Sequence, residues 1–343
     1  MKNGKKRPQN SGQFPVYGGN GIMDYSDSYN SEKTIIVGRV GAYCGCVYKS
    51  EERCWVSDNA ISVLAKNDID FHYLYYLMTS LDFHHQHIGG AQPLMTQDII
   101  GDFAVKIPSI STQIKIANTL KSLDDKIEVN RRINDNLEQQ AQALFKSWFV
   151  DFEPFKDQPF VDSELGMIPQ GWRVETLGNL IEIKYGKDHK KLFDGKIPVY
   201  GSGGLMRYAE KALYSGESVL IPRKGSLNNV MYVNEAFWTV DTMFYSIPKV
   251  DNVMLFAFIY LCNRDLSSLN AGSAVPSMTT EILNNMIVAL PTHSIMDVFN
   301  KRAKALYSSI KHNEDESRRL AELRDTLLPR LMSGELKVND VDA

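Results

Sequence analysis

The chain repeats itself at an offset of 183 positions. Glycine, proline, aromatic, acidic and methionine positions all recur in order, so chance matches among turn residues do not explain the register. The matched first-copy residues are Pro15, Tyr17, Gly21, Trp55, Asp58, Pro93, Met95 and Pro108, and their second-copy partners are Pro198, Tyr200, Gly204, Trp238, Asp241, Pro276, Met278 and Pro291. Solenoid repeats run roughly 20–50 residues, far below this period. We therefore expect each copy to be a globular domain followed by its own long helix.

Each copy ends in the pattern of a long helix. From Ile114 to Phe149, apolar residues and asparagines recur at alternating spacings of three and four, namely at Leu120, Leu123, Ile127, Asn130, Asn134, Leu137, Ala141, Leu144 and Trp148. Such a seam is typical of a helix that packs against another helix. At about 1.5 Å per residue, this segment would span roughly 54 Å. The matching seam from Leu306 to Leu327 predicts a second helix of the same kind.

The two predicted helices carry an asparagine at equivalent seam positions near their middles, Asn130 and Asn313. In an antiparallel pair related by a pseudo-twofold axis, residues near the middle of each helix face one another. We therefore predict that the two asparagines meet and fix the helix-pair register, at some cost in stability. Pro329 has no counterpart in the first helix and should end or kink the second one near Leu328.

Apolar strands and apolar helices occur in both copies, which predicts α/β (α+β) globular domains separated by a long antiparallel two-helix coiled coil. The expected order is a first globular domain at 1–110, a long helix at 111–152, a linker at 153–168, a second globular domain at 169–291, a second long helix at 292–334 and a tail at 335–343. A hydrophobic content of 43% and a charged content of 23% are ordinary globular values. Each domain is long enough to bury a core.

The composition favours a cytoplasmic protein. The N-terminal residues include no apolar stretch of the kind that a secretory signal needs, and the four cysteines form no disulfide framework. The net charge is −3, with about −1 in residues 1–110 and +1 in residues 166–290. A nucleic-acid surface would therefore have to be a local patch on a nearly neutral body.

Two basic segments stand at matched places in the repeats. The first contains Lys5, Lys6 and Arg7, and the second contains Lys187, Lys190 and Lys191. A solvated tail would explain either segment alone, but a recurrence favours a shared role in binding phosphates.

Glycine-rich turns follow the basic segments, as FPVYGGNG in the first copy and IPVYGSGG in the second. Glycines let backbone N–H groups approach a phosphate closely, and a tyrosine can stack or hydrogen-bond. Plain tight turns remain an alternative. The candidate DNA-binding residues of these turns are Tyr17, Asn20, Tyr200 and Ser202.

Further candidates come from strand ends and loops. The apolar runs TIIVG and SVLIP deliver Arg39, Arg223 and Lys224 into glycine-flanked loops, where arginine could contact phosphate or guanine. Two later loops, rich in glycine and short polar residues, offer Gln92 and Ser273 as base-reading groups, although solvation explains them equally well. These loops lead to helix starts at which Thr96 and Thr279 are predicted N-caps.

Several strings together identify a family that the chain resembles. They are SELGMIPQGW at 163–172, the two PVYG turns, LDDKIEVNRRINDNLEQQAQALFKSWFVDF at 123–152 and RLAELRDTLLPRLMSGEL at 319–336. With these features the chain is similar, over nearly its whole length, to specificity (S) subunits of type I restriction–modification systems.

The resemblance implies two target recognition domains that each read one half of a split, asymmetric site in double-stranded DNA. It also implies that the helix pair sets the spacing and docks two methyltransferase subunits, with restriction subunits in the full complex. The chain itself would then be a non-catalytic DNA-binding subunit without a cofactor, and S-adenosylmethionine, ATP and Mg²⁺ would belong to the partners. The sequence agrees, since it contains neither a methyltransferase Asn-Pro-Pro-aromatic or Asp-Pro-Pro-aromatic motif nor a P-loop.

The first copy departs from the second at its beginning. GWRVETLGNLIEIKYG at 171–186 precedes and enters the second basic segment, and by the 183 offset its first dozen or so residues would fall before Met1. The first domain is therefore expected to lack an opening strand, which would expose a sheet edge.

Two other functions remain open from sequence. One is a specificity subunit of a related type IIB or IIG-like system, which only partner subunits would distinguish. The other is a two-headed scaffold that spaces two protein partners and binds no DNA. Near-neutral charge favours the scaffold slightly, while the matched basic and glycine-rich segments count against it.

Overall fold

The structure is a computed structural model, and it describes residues 1–89, 93–269 and 276–338. It divides into two units, Met1–Arg131 with Glu314–Ala343 and Arg132–Asn313. Each unit contains the sheet of one repeat together with parts of both long helices. The boundary between the units therefore passes through the helices and not through the linker.

The first repeat forms a sheet, two short helices and the first long helix. Its elements are β1 (Lys2–Asn3), β2 (Phe14–Gly18), β3 (Gly21–Ser26), β4 (Ser31–Gly38), β5 (Val47–Val56), β6 (Ala60–Val63), α1 (Phe71–Ser80), α2 (Gln97–Gly101) and the long helix α3 (Ile110–Phe149).

The second repeat forms the same elements, an additional strand pair and an additional short helix. Its elements, with the linker strands β7 and β8 first, are β7 (Phe160–Val161), β8 (Ile168–Pro169), β9 (Arg173–Thr176), α4 (Leu177–Leu180), β10 (Ile181–Tyr185), β11 (Asp194–Gly201), β12 (Gly204–Ala209), β13 (Tyr214–Pro222), β14 (Met231–Thr239), β15 (Met243–Pro248), α5 (Met254–Cys262), α6 (Thr280–Asn284), β16 (Ile287–Leu290) and the long helix α7 (His293–Ser333).

The two sheets have the same topology. Within the described residues, six strands run in the order β1-β6-β4-β5-β2-β3 in the first unit and β10-β15-β13-β14-β11-β12 in the second. In both sheets the pairing is antiparallel except at one place, where β2 lies parallel to β5 and β11 lies parallel to β14. Strand for strand, the order is the same, so the prediction of two repeated α/β domains is confirmed.

Each sheet is held by a run of residues that is buried on both faces. Ile35, Ile36 and Val37 of β4 are fully buried, as are Val219, Leu220 and Ile221 of β13. Continuous apolar runs of this kind fit strands that are covered on both sides, since an alternating pattern would leave one face in water. In the first unit, Phe71 and Met78 of α1 pack in the same core as Ile35 and Val37.

The short helices begin where the sequence predicts. The Thr96 hydroxyl accepts a hydrogen bond from the Ile99 amide at 3.2 Å, and the Thr279 hydroxyl accepts one from the Ile282 amide, also at 3.2 Å. The prediction of threonine N-caps for α2 and α6 is therefore confirmed.

Within each unit the long helices run antiparallel, as predicted. In the first unit, Asn130 Nδ2 donates to Glu316 Oε2 at 2.7 Å. In the second unit, Asn313 Nδ2 donates to Asn134 Oδ1 at 2.8 Å. Seam asparagines thus form hydrogen bonds between the helices in both units, while a direct contact between Asn130 and Asn313 stays a prediction.

Helix α7 continues through Pro329 to Ser333, so the prediction that it ends near Leu328 is wrong, while a kink at this proline stays a prediction. Proline removes one backbone hydrogen bond and costs about 3 kcal/mol in a helix interior. Burial on either side offsets this cost, since Leu328 and Leu331 pack with Tyr73 and Tyr76 in the first unit's core.

The second unit contains a strand pair that the first unit does not reproduce. Strand β16 pairs with β9 over Ile287 to Leu290, whereas the equivalent residues 104–107 lie in no strand. Val105 and Ile107 are 39% and 42% exposed. The first unit thus leaves unpaired a segment whose counterpart in the second unit is paired with another strand. None of the helices in the described ranges is long and apolar enough to cross a membrane.

Candidate nucleic-acid interface

In the first unit, four loops meet at one edge of the sheet. The β2–β3 turn lies against the loop that carries Arg39, since a Cβ added to Gly19 would be 3.6 Å from the Val40 carbonyl oxygen. The Arg39 amide donates to the Asn59 carbonyl oxygen at 2.8 Å, and the Arg39 carbonyl oxygen accepts from the Met95 amide at 2.8 Å. These backbone bonds place the glycine-rich turn, the arginine loop and the loops at Asn59 and Met95 together.

The second unit builds the same edge from equivalent residues. The Arg223 amide donates to the Thr242 carbonyl oxygen at 2.9 Å, and the Arg223 carbonyl oxygen accepts from the Met278 amide at 2.9 Å. The glycine-rich turn joins this group because Asn229 Nδ2 donates to the Ser202 carbonyl oxygen at 2.8 Å. The structure thus brings together the glycine-rich turn and the strand-end arginine that the sequence singled out separately.

The two arginines are held in the same way. Arg39 Nη1 donates to the Asp58 carbonyl oxygen at 3.3 Å, and Arg223 Nη1 donates to the Asp241 carbonyl oxygen at 3.2 Å. Arg223 also lies 5.3 Å from the centroid of the Tyr185 ring. A guanidinium has five N–H donors, so one hydrogen bond to a carbonyl orients the group and leaves donors for a phosphate or a guanine edge.

A tryptophan anchors each basic segment beside this edge. Trp55 Nε1 donates to the Lys5 carbonyl oxygen at 3.2 Å, and Trp238 Nε1 donates to the Lys187 carbonyl oxygen at 2.9 Å. The preceding glycine permits the close approach in both units. A Cβ on Gly4 would lie 1.9 Å from the Ser57 carbonyl oxygen. The sequence analysis missed this role, although the recurrence of Gly-Lys beside a matched tryptophan could have indicated it.

The remaining cationic candidates lie on the surface. Lys6, Lys190, Lys191 and Lys224 are exposed, and exposed Arg7 forms an ion pair with Asp24 at 3.3 Å. Their charge is available to an anionic partner, because surface ion pairs and solvated lysines are held only weakly.

The polar candidates of the turns differ in exposure. Asn20 is exposed at the tip of the β2–β3 turn, and Ser202 is half-buried. Gln92 and Ser273 lie outside the residues that the structure describes.

The two candidate tyrosines point into their domains. Tyr17 is 8% exposed, and its hydroxyl donates to the Lys49 carbonyl oxygen at 3.3 Å. Burial raises the pKa of Tyr17. The Tyr200 hydroxyl donates to Glu235 Oε1 at 3.0 Å. These contacts give both rings a packing role, and direct contact with DNA stays a prediction.

Two of the three cysteines of the first unit belong to its interior. Cys44 and Cys54 are fully buried, and burial raises the pKa of both thiols. A raised pKa keeps a thiol protonated at neutral pH, whereas a metal-ligating or nucleophilic cysteine needs the thiolate.

The comparisons with known proteins show the family of the chain. The family model for the type I restriction modification DNA specificity domain matches residues 2–139 and 169–320. The chain belongs to this family. The two matches fall on the two repeats, so each repeat corresponds to one match of the specificity-domain model.

Relatives in this specificity-subunit family align over most of the chain. The MjaIX specificity subunit of Methanocaldococcus jannaschii is 28% identical over 313 residues, which cover 82% of this chain and 72% of the relative. The HindI specificity subunit of Haemophilus influenzae is 25% identical over 332 residues, with 72% of each chain covered.

A solved structure has the same fold. The S subunit of a type I restriction–modification system from M. genitalium superposes with a TM-score of 0.59 at 20% identity, covering 96% of this chain and 92% of that chain. At this identity the likeness concerns the fold alone.

Proposed function

We propose that this chain is the DNA sequence-specificity subunit of a type I restriction–modification complex. Each recognition domain would read one half of a bipartite, asymmetric site in double-stranded DNA. The chain would dock two methyltransferase subunits and, through them, restriction subunits. In this proposal the chain carries out no catalysis, and the partner subunits bind S-adenosylmethionine, ATP and Mg²⁺. The complex would act in the cytoplasm.

The observation that carries the proposal is that both units build the same backbone arrangement of arginine loop and basic segment, which we call the interface frame. Different side chains surround the frame in the two units. The backbone positions of the arginine loop and the basic segment recur in both units, held by the same kinds of hydrogen bonds. The side chains around the frame differ, as Asp24 is matched by Arg207 and Asn20 by Gly203. Phosphate contacts position a protein on DNA and base contacts specify the sequence. A repeated frame with different side chains therefore suits two readers of unlike half-sites.

The decisive experiment maps methylation in cells. The gene is expressed with the methyltransferase subunits of its system in a host that lacks other methyltransferases, and methylated positions are mapped genome-wide. A split, asymmetric motif that requires this chain is expected. Methylation that is unchanged without the chain would contradict the proposal.

A binding experiment separates a DNA-binding subunit from a scaffold of two protein partners. Duplexes carrying the motif are titrated with the purified complex between 50 and 200 mM salt, a range over which several phosphate contacts should lower affinity by about 10³-fold or more. A complex whose assembly needs this chain but whose DNA binding does not would support the scaffold.

A further inference from the structure

The last two strands in the order of each sheet form a hairpin, β2–β3 in the first unit and β11–β12 in the second. Each hairpin exposes two adjacent aliphatic side chains. Ile22 and Met23 of β3 are 49% and 51% exposed, and the equivalent Leu205 and Met206 of β12 are 48% and 56% exposed. Neighbouring residues of a regular strand point to opposite faces, so two adjacent exposed apolar residues need an explanation. Their recurrence at the same positions in both repeats points to a shared role.

A β-bulge at the same place in both hairpins accounts for the arrangement. Strand β2 pairs Val16 with Asp24 and then Tyr17 with Ile22, so Met23 is the extra residue. The second hairpin makes the same shift, which leaves Met206 as the extra residue. Bulges at sheet edges re-aim side chains and are common beside functional sites.

Each bulged methionine lies over a glycine of the neighbouring strand. A Cβ added to Gly18 would be 2.7 Å from the Met23 sulfur, and one added to Gly201 would be 2.5 Å from the Met206 sulfur. A bulge, a glycine and a methionine thus recur together. The hairpin is built to present this pair of apolar residues, which we call the apolar tip.

Each apolar tip borders the cationic part of its interface. Asp24, which follows Met23, pairs with Arg7 of the basic segment at 3.3 Å. Arg207, which follows Met206, donates to the Leu192 carbonyl oxygen at 2.6 Å. An apolar surface beside exposed basic residues suits a DNA groove, in which apolar atoms of the bases lie between two anionic phosphate backbones.

We propose that the apolar tips, Ile22 with Met23 and Leu205 with Met206, contact thymine 5-methyl groups in the major groove. The inference rests on the proposed function and assigns the readers of sequence within it. A two-stranded β-ribbon fits the major groove, and aliphatic contact with the thymine methyl discriminates base pairs there. The basic segments bind phosphates and supply affinity without sequence, while the tips add discrimination of thymine.

The test removes the methyl group from the DNA and the apolar surface from the protein in turn. The motif is first identified with the full chain bound to its methyltransferase subunits. Each thymine is then replaced by uracil, which lacks only the 5-methyl group. We expect replacement at one or more thymines of the first half-site to weaken binding about three- to fivefold, the worth of one buried methyl.

The Ile22→Asn/Met23→Gln double variant keeps a similar side-chain size, removes the aliphatic surface and is expected to bind the thymine duplex as weakly as the wild type binds the uracil duplex. This variant should be insensitive to the uracil replacement and should keep its salt dependence. The Leu205→Asn/Met206→Gln variant should behave likewise at the second half-site only. The matched control is Leu64→Thr, which should bind like the wild type. Leu64 is 50% exposed and follows the end of β6 that lies away from the loop at Asn59.

Thermal melting establishes that each variant is folded. The Ile22→Val/Met23→Leu variant keeps the apolar tip and should therefore retain the response to uracil. Sequence-selective wild-type binding without any response to uracil, or a double variant that still responds, overturns this inference alone. A wild-type complex that selects no sequence overturns the inference together with the proposed function. An apolar-tip variant that loses its methyltransferase subunits but keeps the uracil response would assign the tip to protein docking and overturn the inference.

Discussion

At the scale of single residues, the two units use different chemistry at equivalent positions. In the first unit, Tyr76 of α1 donates to Asp124 Oδ2 at 2.6 Å, and Arg324 donates to Asp124 Oδ1 at 2.6 Å. By the repeat offset, the second unit has Tyr307 where the first has Asp124, and the Tyr307 ring lies 5.4 Å from the Phe258 ring. At this position one domain thus contacts the helices through a polar network and the other through aromatic packing.

The polar network predicts a loss of stability in alkaline solution. Burial raises the pKa of Tyr76, and its hydrogen bond to Asp124 raises it further. A pKa that is higher in the folded than in the unfolded state gives stability that is complete below the unfolded value, near pH 10, and is lost as pH rises above it. Urea unfolding from pH 8 to 11 should show this loss, and Tyr76→Phe should reduce its slope. An equally steep fall in the variant would contradict the prediction.

The same network predicts the cost of the substitutions. At pH 7 we expect Tyr76→Phe to lower the free energy of unfolding by about 1 kcal/mol, because one net hydrogen bond is lost. Asp124→Leu should cost more, about 2–4 kcal/mol, since it leaves the half-buried Arg324 guanidinium without this carboxylate. Denaturant unfolding of the two variants measures both values, and equal costs would contradict the assigned role of Asp124.

The interface arginines predict an effect confined to one half-site. Arg39→Gln should weaken binding to the half-site read by the first domain by about 1–3 kcal/mol, and Arg223→Gln should do the same at the other. Arg53→Gln is the matched control, since Arg53 is an exposed arginine of the same unit that pairs with Glu32. Titration of duplexes mutated in one half-site at a time measures the effect, and equal losses at both half-sites would contradict separate readers.

At the scale of elements, the long helices combine apolar and polar seam positions. Leu120 and Ala141 of α3 are fully buried, whereas Asn130 and Asn134 donate hydrogen bonds to groups on α7. Buried polar seam residues specify register at some cost in stability, because a shifted register would leave them without partners. The helices are thereby suited to hold a defined length.

If the helices set the spacing of the two half-sites, shortening them should shorten the spacer in the DNA. Removal of one heptad from α3 and of the opposing heptad from α7 shortens the pair by about 10 Å, or about three base pairs. We expect the methylated motif to keep both half-sites and to lose about three base pairs of spacer. A heptad removed from α3 alone is the control and should destabilise the pair. An unchanged spacer in the doubly shortened chain would contradict the prediction.

At the scale of the whole molecule, the two repeats differ in how their cores are divided and in which segments pair as strands. The second unit packs Phe145, Phe149, Trp172 and Phe299 into one large core beside a smaller one, and it pairs β16 with β9. The first unit distributes its buried residues over smaller clusters and leaves residues 104–107 in no strand. The two domains should therefore differ in local stability.

Hydrogen exchange of the full chain should show this difference. The amides of Val105 and Ile107 are expected to exchange at least about a hundredfold faster than those of Val288 and Leu290, since exposed, unpaired backbone opens without breaking a sheet. The paired strands β4 and β13 serve as internal references and should both be protected. Equal protection of the two segments would contradict an unpaired segment at residues 104–107 of the first unit.

Much of this architecture could be predicted from the sequence because its signals are local or repetitive. The 183-residue offset predicted two equivalent domains, and the family model matches both copies. Threonine N-caps depend on a bond three residues away, so Thr96 and Thr279 were predicted correctly. The matched arginines, turns and basic segments were also identified, since a repeat preserves their order along the chain.

Only the tertiary structure decided which of these residues lie together and which are exposed. A strand-end tyrosine looks the same in sequence whether it faces solvent or the core. Tyr17 is buried because it packs with Ile36 and Val56 of other strands, and its hydroxyl donates to the Lys49 carbonyl oxygen. Pro329 stays within a helix because Tyr73 and Tyr76, some 250 residues earlier, pack beside it. The bulge that exposes Met23 depends on pairing between strands. Sequence periodicity determines elements and their repetition, whereas burial and register depend on contacts between distant residues.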